Sequence, residues 1–285
     1  MPVTAALDGT PIAHDDVGPR DAPAILMIQG LGADRRGWVL QQAYFARRYR
    51  VITFDNRGAG RSGKPNGPYD LEVMATDALC VLDACGVATA HVMGASMGGV
   101  IAQVLGVRHA SRVSSLVLSC TGCHHLDWRR ELLADWRDVA LEKGMGALAS
   151  RALRWLVGPR NRRRLMLPAQ LFGSALMNVP PHAFAAQVDA ILSMPDDVRW
   201  ELSSVDVPAL VIVGTQDILT PLGDSEEIVE RIPAAELHVV HGAAHAVMAE
   251  APRAFNAAVA SFLDRVPVPS ERRSLPDVQL PSAGA

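Results

Sequence analysis

Ser96, Asp217 and His245 are the residues whose types and order point to chemistry in this chain. Ser96 is the middle residue of Gly94-Ala95-Ser96-Met97-Gly98, a G-x-S-x-G run. The residues before it, Ala90 to Met93, are short and apolar enough for a buried strand. Val100, Ile101, Val104, Leu105 and Val107 after it recur at helical spacing. A serine between strand and helix in this pattern sits on a strained turn that lifts its hydroxyl clear of a sheet, and glycines permit the tight turn and the close helix–strand contact.

A serine alone is a poor nucleophile. It needs a base, and the base needs an orienting group. His245 follows the last predicted strand, Glu236 to Val240, by the short loop Gly242-Ala243-Ala244 and precedes a helix-like segment, which places it at the carboxyl edge of a sheet. His241 is the nearest rival but abuts the strand end. His14, His109, His182 and His238 occupy hairpin, helix-end, helical and strand positions with ordinary packing roles. For the acid, Asp217 directly follows Val211-Ile212-Val213-Gly214 on the loop Thr215-Gln216-Asp217. The plain alternative for Asp217 is a turn-making loop aspartate; Asp206 and Asp224 are less well placed. Two amides are expected to receive a developing oxyanion: Met97, next after the serine, and Leu31, in the loop Gln29-Gly30-Leu31-Gly32. Losing one such donor typically costs about 3 kcal/mol of transition-state stabilisation.

The elements that must position these residues follow from periodicity. Val3–Leu7 and Pro11–Val17 read as a hairpin turning at Asp8-Gly9-Thr10. Strands then alternate with helices: Ala24–Ile28, a helix around Trp38–Arg48, Val51–Phe54, a glycine-rich loop over Asp55–Gly63, a helix near Leu71–Cys85, the serine strand and its helix, and Val113–Leu118. This βαβ rhythm implies a mainly parallel sheet covered on both faces. From Asp127 to about Trp200 nearly everything reads as helix, with Trp128, Leu132, Trp136, Val139 and Ala140 on one face. Strand rhythm resumes at Ala209–Val213 and Glu236–Val240, and a helix over Pro252–Asp264 closes the pattern. The expected organisation is a first part of the core over residues 1–121, a helical cap over 122–200, a second part of the core over 201–265, and a proline-rich tail over 266–285.

These motifs resemble the α/β-hydrolase family over roughly residues 20–120 and 205–265. Gln29-Gly30 resembles its His-Gly motif, with glutamine in the histidine position. Phe54-Asp55-Asn56-Arg57-Gly58-Ala59-Gly60-Arg61-Ser62 resembles its D-x-R-G-x-G-x-S loop. Gly94–Gly99 is similar to its nucleophile elbow, Gly214–Asp217 to its acid loop, and Gly242–His245 with Glu250-Ala251-Pro252 to its histidine loop. The order Ser96, Asp217, His245 is the family's order. The variant with its acid after the Val113–Leu118 strand does not fit, because Ser119, Cys120 and Thr121 offer no carboxylate. The resemblance implies an α/β fold with a mostly parallel eight-stranded sheet, helices on both faces and an inserted helical cap.

It also implies a serine hydrolase for a carboxylic ester or lactone. Serine at position 96 argues against haloalkane dehalogenases and most epoxide hydrolases of the family, which use aspartate there. Cofactor-free haloperoxidases typically continue as S-M-G-T-G, whereas this chain has Ser96-Met97-Gly98-Gly99-Val100. Carbon–carbon bond hydrolases often place asparagine before the serine, where Ala95 stands. Asp217-Ile218-Leu219-Thr220-Pro221 looks most like carboxylesterases and enol-lactone hydrolases. Three alternatives stay open: an acyl-thioesterase for a coenzyme A or carrier-protein substrate, a carbon–carbon bond hydrolase, and a non-catalytic binding protein of the same fold. The cap arginines Arg129, Arg130, Arg151, Arg154, Arg160 and Arg162-Arg163-Arg164 read as a solvated basic face, or as a dock for an anionic carrier.

Bulk properties bound the rest. A chain of 285 residues buries about 75% of its unfolded surface without needing a disulfide or metal. Hydrophobic content of 49% and a mean hydropathy of +0.14 describe a globular protein. A net charge of −3 gives no overall pull toward nucleic acid. Met1–Asp8 lacks a basic or apolar leader and no stretch reaches a membrane span, so a cytoplasmic location is expected. Cys120-Thr121-Gly122-Cys123-His124 spells C-x-x-C-H, a c-type haem attachment pattern, but without an export signal it reads as coincidence. Cys80 and Cys85 read as packing residues within a helix. No cofactor and no metal are expected. The expected partner is a small-molecule ester or lactone, and the sequence leaves the oligomeric state open.

Overall fold

The computed structural model describes residues 2–124, 126–162, 177–194 and 201–266. Within them the apolar runs form β1 (Val3–Ala5), β2 (Pro11–Val17), β3 (Ala24–Ile28), β4 (Arg50–Phe54), β5 (Ala90–Ala95), β6 (Val113–Ser119), β7 (Ala209–Gly214) and β8 (Ala235–Val240). They make one sheet in the order β1-β2-β4-β3-β5-β6-β7-β8. The β1–β2 and β2–β4 pairs are antiparallel and the others parallel.

The interior strands β3, β5 and β7 are buried along their whole length, as a sheet covered on both faces requires. Alternate side chains feed two cores. Leu26, Ile28, Val92, Leu116, Leu118 and Val211 join the cluster under α2 (Leu71–Ala84), α3 (Met97–Arg108) and α6 (Leu222–Arg231). Ile25, Met27, Met93, Val117, Leu210 and Ile212 join the cluster under α1 (Val39–Phe45) and α8 (Pro252–Leu263). Fully burying one such side chain contributes about 1.5–3 kcal/mol. Asp70 caps α2, its carboxylate accepting from the amides of Glu72 and Val73. A short helix α7 (Val247–Glu250) precedes α8. Cys85 lies just past the end of α2, and both it and Cys80 are free thiols, half-buried.

Between β6 and β7 lie α4 (Asp127–Leu156) and α5 (Pro181–Leu192). The helical run from Asp127 departs from the expected pattern twice. Gly144, at φ 80° and ψ 170°, breaks α4 into two arms, and Trp128 on the first arm stacks on Trp155 of the second with centroids 6.0 Å apart. The buried stripe of the first arm also runs through Arg129, Leu133, Trp136 and Ala140, while Trp128 is exposed. Residues 159–162 begin a further helical turn. Arg163, Arg164 and the 267–285 part of the tail lie outside the described residues.

Candidate active site

The G-x-S-x-G glycines answer to contacts rather than to chance. A Cβ on Gly94 would lie 2.1 Å from the Gly98 carbonyl oxygen, and one on Gly98 would lie 2.2 Å from the Ile28 carbonyl oxygen. The helix head is therefore pressed onto the ends of β5 and β3. Ser96 carries the strain at φ 53° and ψ −121°, a backbone state that costs of order 1–3 kcal/mol and persists only where surroundings hold it. They do: its amide donates to Ser119 O at 2.9 Å, and its carbonyl accepts from Thr121 Oγ1 at 2.8 Å.

Asp217 and His245 meet at the ends of β7 and β8. His245 Nδ1 lies 2.9 Å from Asp217 Oδ2, so the proton on Nδ1 points to the carboxylate and Nε2 is left as the acceptor. Asp217 Oδ1 accepts from the amides of Leu219 and Thr220, each at 2.9 Å. The Thr220 hydroxyl donates to Oδ2 at 2.8 Å and sits 3.1 Å from His245 Nδ1. Burial pushes the Asp217 pKa up, but the neighbouring imidazole and the Thr220 bonds outweigh it and hold the carboxyl below its ordinary value. Thr220 was legible only as part of the Asp217–Pro221 run, not as a partner of the acid. Asp206 and Asp224 take no part in this pair, and His241 is exposed.

Ser96 and His245 line one cavity of about 200 Å³, whose walls include Gly30, Leu31 and Met97 from the core and Leu133, Trp136, Leu148, Leu156 and Phe184 from α4 and α5. The amides of Leu31 and Met97 have no hydrogen-bond partner among the described residues. Gly30 packs against the serine itself: a Cβ there would lie 3.1 Å from Ser96 Cβ. Gln29, the glutamine in the histidine position, is buried and turned inward. Its Oε1 accepts from the Gly30 amide at 3.2 Å, and its carbonyl accepts from Asn56 Nδ2 at 2.9 Å.

A family model, the alpha/beta hydrolase fold, matches residues 23–252. The chain belongs to the alpha/beta hydrolase fold family. It is 30% identical to 3-oxoadipate enol-lactonase 2 of Acinetobacter baylyi over 252 residues, 87% of this chain and 91% of that one. It is 31% identical to RutD of Caulobacter vibrioides, a protein named for carbamate hydrolysis, over 266 residues, 90% of this chain and 94% of that one. The solved enol-lactonase of Burkholderia xenovorans superposes with a TM-score of 0.85 at 30% identity, over 92% of this chain and all of that one. Like these relatives, this alpha/beta hydrolase is a hydrolase by descent. No helix among its described residues is long and apolar enough to cross a membrane.

Sequence reasoning missed the ties that three side chains make between the cap and this hydrolase core. Arg129, expected on a solvated basic face or in a dock for an anionic carrier, is buried: its Nη2 donates to Asp224 Oδ2 at 2.5 Å and its Nη1 to His124 O at 3.1 Å. Burial drives the Asp224 carboxyl up against the pull of Arg129. Glu250 Oε2 accepts from the Ala244 amide at 2.7 Å, while its Oε1 accepts from Gly158 N and Asn161 Nδ2, both at 2.9 Å. Gln187, on α5, is fully buried. The available signal for Arg129 and Gln187 was a polar residue on an otherwise apolar helix face. Thr121 and Gly122 of the C-x-x-C-H run line the cavity. Cys120 is buried at φ 45°, and burial together with nearby Asp217 pushes its thiol well up. His124 Nδ1 lies 2.8 Å from Glu227 Oε2.

Proposed function

We propose that the protein hydrolyses a carboxylic ester or lactone through an acyl-enzyme, with Ser96 as nucleophile, His245 as base and Asp217 as orienting acid. The observation that carries this reading is the strained Ser96 turn in one cavity with a carboxylate-held imidazole and two unpartnered amides. His245 Nε2 takes the Ser96 proton as Oγ attacks the carbonyl carbon. The carbonyl oxygen becomes an oxyanion that accepts from the Leu31 and Met97 amides. Collapse expels the alkoxide, which receives the proton from His245. In a lactone the alcohol stays attached to the acyl group. Water then gives a proton to His245 and attacks the acyl-enzyme, and the second collapse releases the acid and returns the proton to Ser96.

The mainly apolar, confined cavity favours a short substrate with a compact acyl group. Lactones and carbamates, the chemistries for which the relatives are named, fall within acyl transfer of this kind. A p-nitrophenyl ester series from acetate to palmitate, run beside lactones and acyl-coenzyme A, is expected to give the highest kcat/KM on short esters or lactones. Ser96→Ala is expected to lower kcat on the best substrate by roughly 10⁴–10⁶. Near-normal hydrolysis by that variant overturns the reading.

A further inference from the structure

We infer that Gln187, carried by the cap, is a positioning residue that sets the geometry of the Leu31 oxyanion amide; this rests on the acyl-enzyme reading above. The argument begins with an anomaly in α5. Phe184, Val188 and Ile191 recur at i, i+4 and i+7 and are buried, which defines the face turned inward. Gln187 shares that face and has no exposed surface. A buried amide side chain is costly unless both its ends are bonded. Both are. Oε1 accepts from the Gly32 amide at 3.0 Å, and Nε2 donates to the Arg57 carbonyl at 2.8 Å. One side chain thus joins the cap to two core loops, and it reaches the first across 155 residues of sequence.

The Gly32 bond matters because of what its neighbour does. Three successive peptides of the Gln29–Gly32 loop are held by hydrogen bonds. The Gly30 amide is taken by Gln29 Oε1. The Gly30 carbonyl, in the same peptide unit as the Leu31 amide, accepts from Ala33 N at 3.3 Å. The next peptide is held through Gly32 N by Gln187. The Leu31 amide between these anchors has no partner among the described residues, and Leu31 lines the cavity. Two holds come from outside the loop: Asn56 Nδ2 donates to the Gln29 carbonyl of the first peptide, and Gln187 is the one that the cap supplies. Gly32 sits at φ 70°, and a Cβ there would lie 3.1 Å from the Phe184 ring, so α5 also presses on the loop directly. α5 therefore braces the loop through both the Gln187 bond and the Phe184 ring.

The experiment replaces Gln187 by leucine, similar in size and without polar atoms. With a short p-nitrophenyl ester, Q187L is expected to lose about 10–100-fold in kcat with KM within about twofold of the wild type. A trifluoromethyl ketone, whose adduct with Ser96 places an oxyanion on the same amides, is expected to bind more weakly by the same factor. A purely structural residue would lower the melting temperature and leave kcat per folded molecule unchanged. Kcat within about threefold of wild type in folded Q187L overturns the inference. The wild-type protein gives a second reading that needs no variant. The Gly32 amide is expected to exchange its hydrogen slowly and the Leu31 amide quickly; rapid exchange at Gly32 also overturns it. Ser96→Ala in the same assay separates the two levels. An inactive S96A beside an unaffected Q187L removes the positioning role alone, whereas an active S96A removes the acyl-enzyme reading and this inference with it.

Discussion

The loop after β4 and the seam between cap and core both bury charge, but they close it differently. In the loop, Arg57 reaches Asp77 through Nε at 2.6 Å and Nη2 at 2.7 Å, and Asp55 takes Arg35 Nη1 at 2.5 Å together with the amides of Arg35 and Arg61. All these groups belong to the core, and their bonds shape one loop. In the seam every tie spans two bodies. Arg129 of α4 reaches Asp224 of α6, Gln187 of α5 reaches Gly32 and Arg57, and Glu250 of α7 joins the residue before His245 to the end of the cap. The residue after His245 is held too, its amide donating to Leu156 O at 2.8 Å. Loss of a tie inside the core therefore acts on stability. Loss of a tie across the seam acts on stability and on the cavity together.

The reference point for this contrast is a change that leaves both networks intact. Asp217→Asn keeps the shape at the end of β7 but removes the charge that fixes the His245 proton on Nδ1. Kcat is expected to fall by about 10⁴ with little change in the melting temperature. A loss near tenfold would mean that Thr220, 3.1 Å from the same nitrogen, orients the imidazole without the acid.

The next largest effect separates the two arginines. Arg129→Met leaves Asp224 buried and unpaired, which is expected to cost about 3–5 kcal/mol. Arg57→Met leaves Asp77 in the same position and is expected to cost about as much. Arg129 lines the cavity and Arg57 does not, so KM is expected to rise in R129M and to stay near wild type in R57M. Equal KM values in the two variants would erase the distinction between loop and seam. The deficit of R129M also has a pH signature. Asp224 already has a raised pKa in the folded protein, and losing Arg129 raises it further. The folded state of R129M then holds the proton more tightly than the unfolded chain, so its stability deficit shrinks as pH falls toward the unfolded carboxyl value and grows as pH rises. Chemical denaturation of wild type and R129M across that range checks it.

Legibility in the sequence divides along the same line. β3 and β7 were readable because burial on both faces makes them nearly continuous apolar runs, and β5 is mostly apolar with His91 as its one polar side chain. The placement of Ser96, Asp217 and His245 was readable because each stands just past the carboxyl end of a strand, β5, β7 or the edge strand β8, so chain order brings them to one edge. The seam was not. A bond from Gln187 to a backbone amide 155 residues away leaves no local pattern. Arg129, read among seven other cap arginines, takes the solvent as its default partner until a buried aspartate on another element is known. The break at Gly144 left a trace in Gly144-Met145-Gly146, but helical spacing continues on both sides and hides it.

The smallest expected effect compares two glycines that both sit at positive φ. Gly9 turns the β1–β2 hairpin at φ 82°, and a Cβ there meets nothing within 4 Å. Gly9→Ala is therefore expected to cost only the left-handed strain, about 1–2 kcal/mol, with unchanged kcat. Gly32 has φ 70°, but its Cβ would meet Met177 Cε at 3.0 Å and the Phe184 ring at 3.1 Å. The methionine end can swing away; the ring, buried on α5, cannot without moving the helix. Gly32→Ala then carries the same strain plus a displacement of α5 from the loop it braces. The two variants are expected to differ by about 1 kcal/mol in stability, but by roughly tenfold in kcat, the scale of a weakened oxyanion donor. If they matched in kcat, the contact of α5 with Gly32 would be packing alone, and the cap's hold on the loop would reduce to the Gln187 bond.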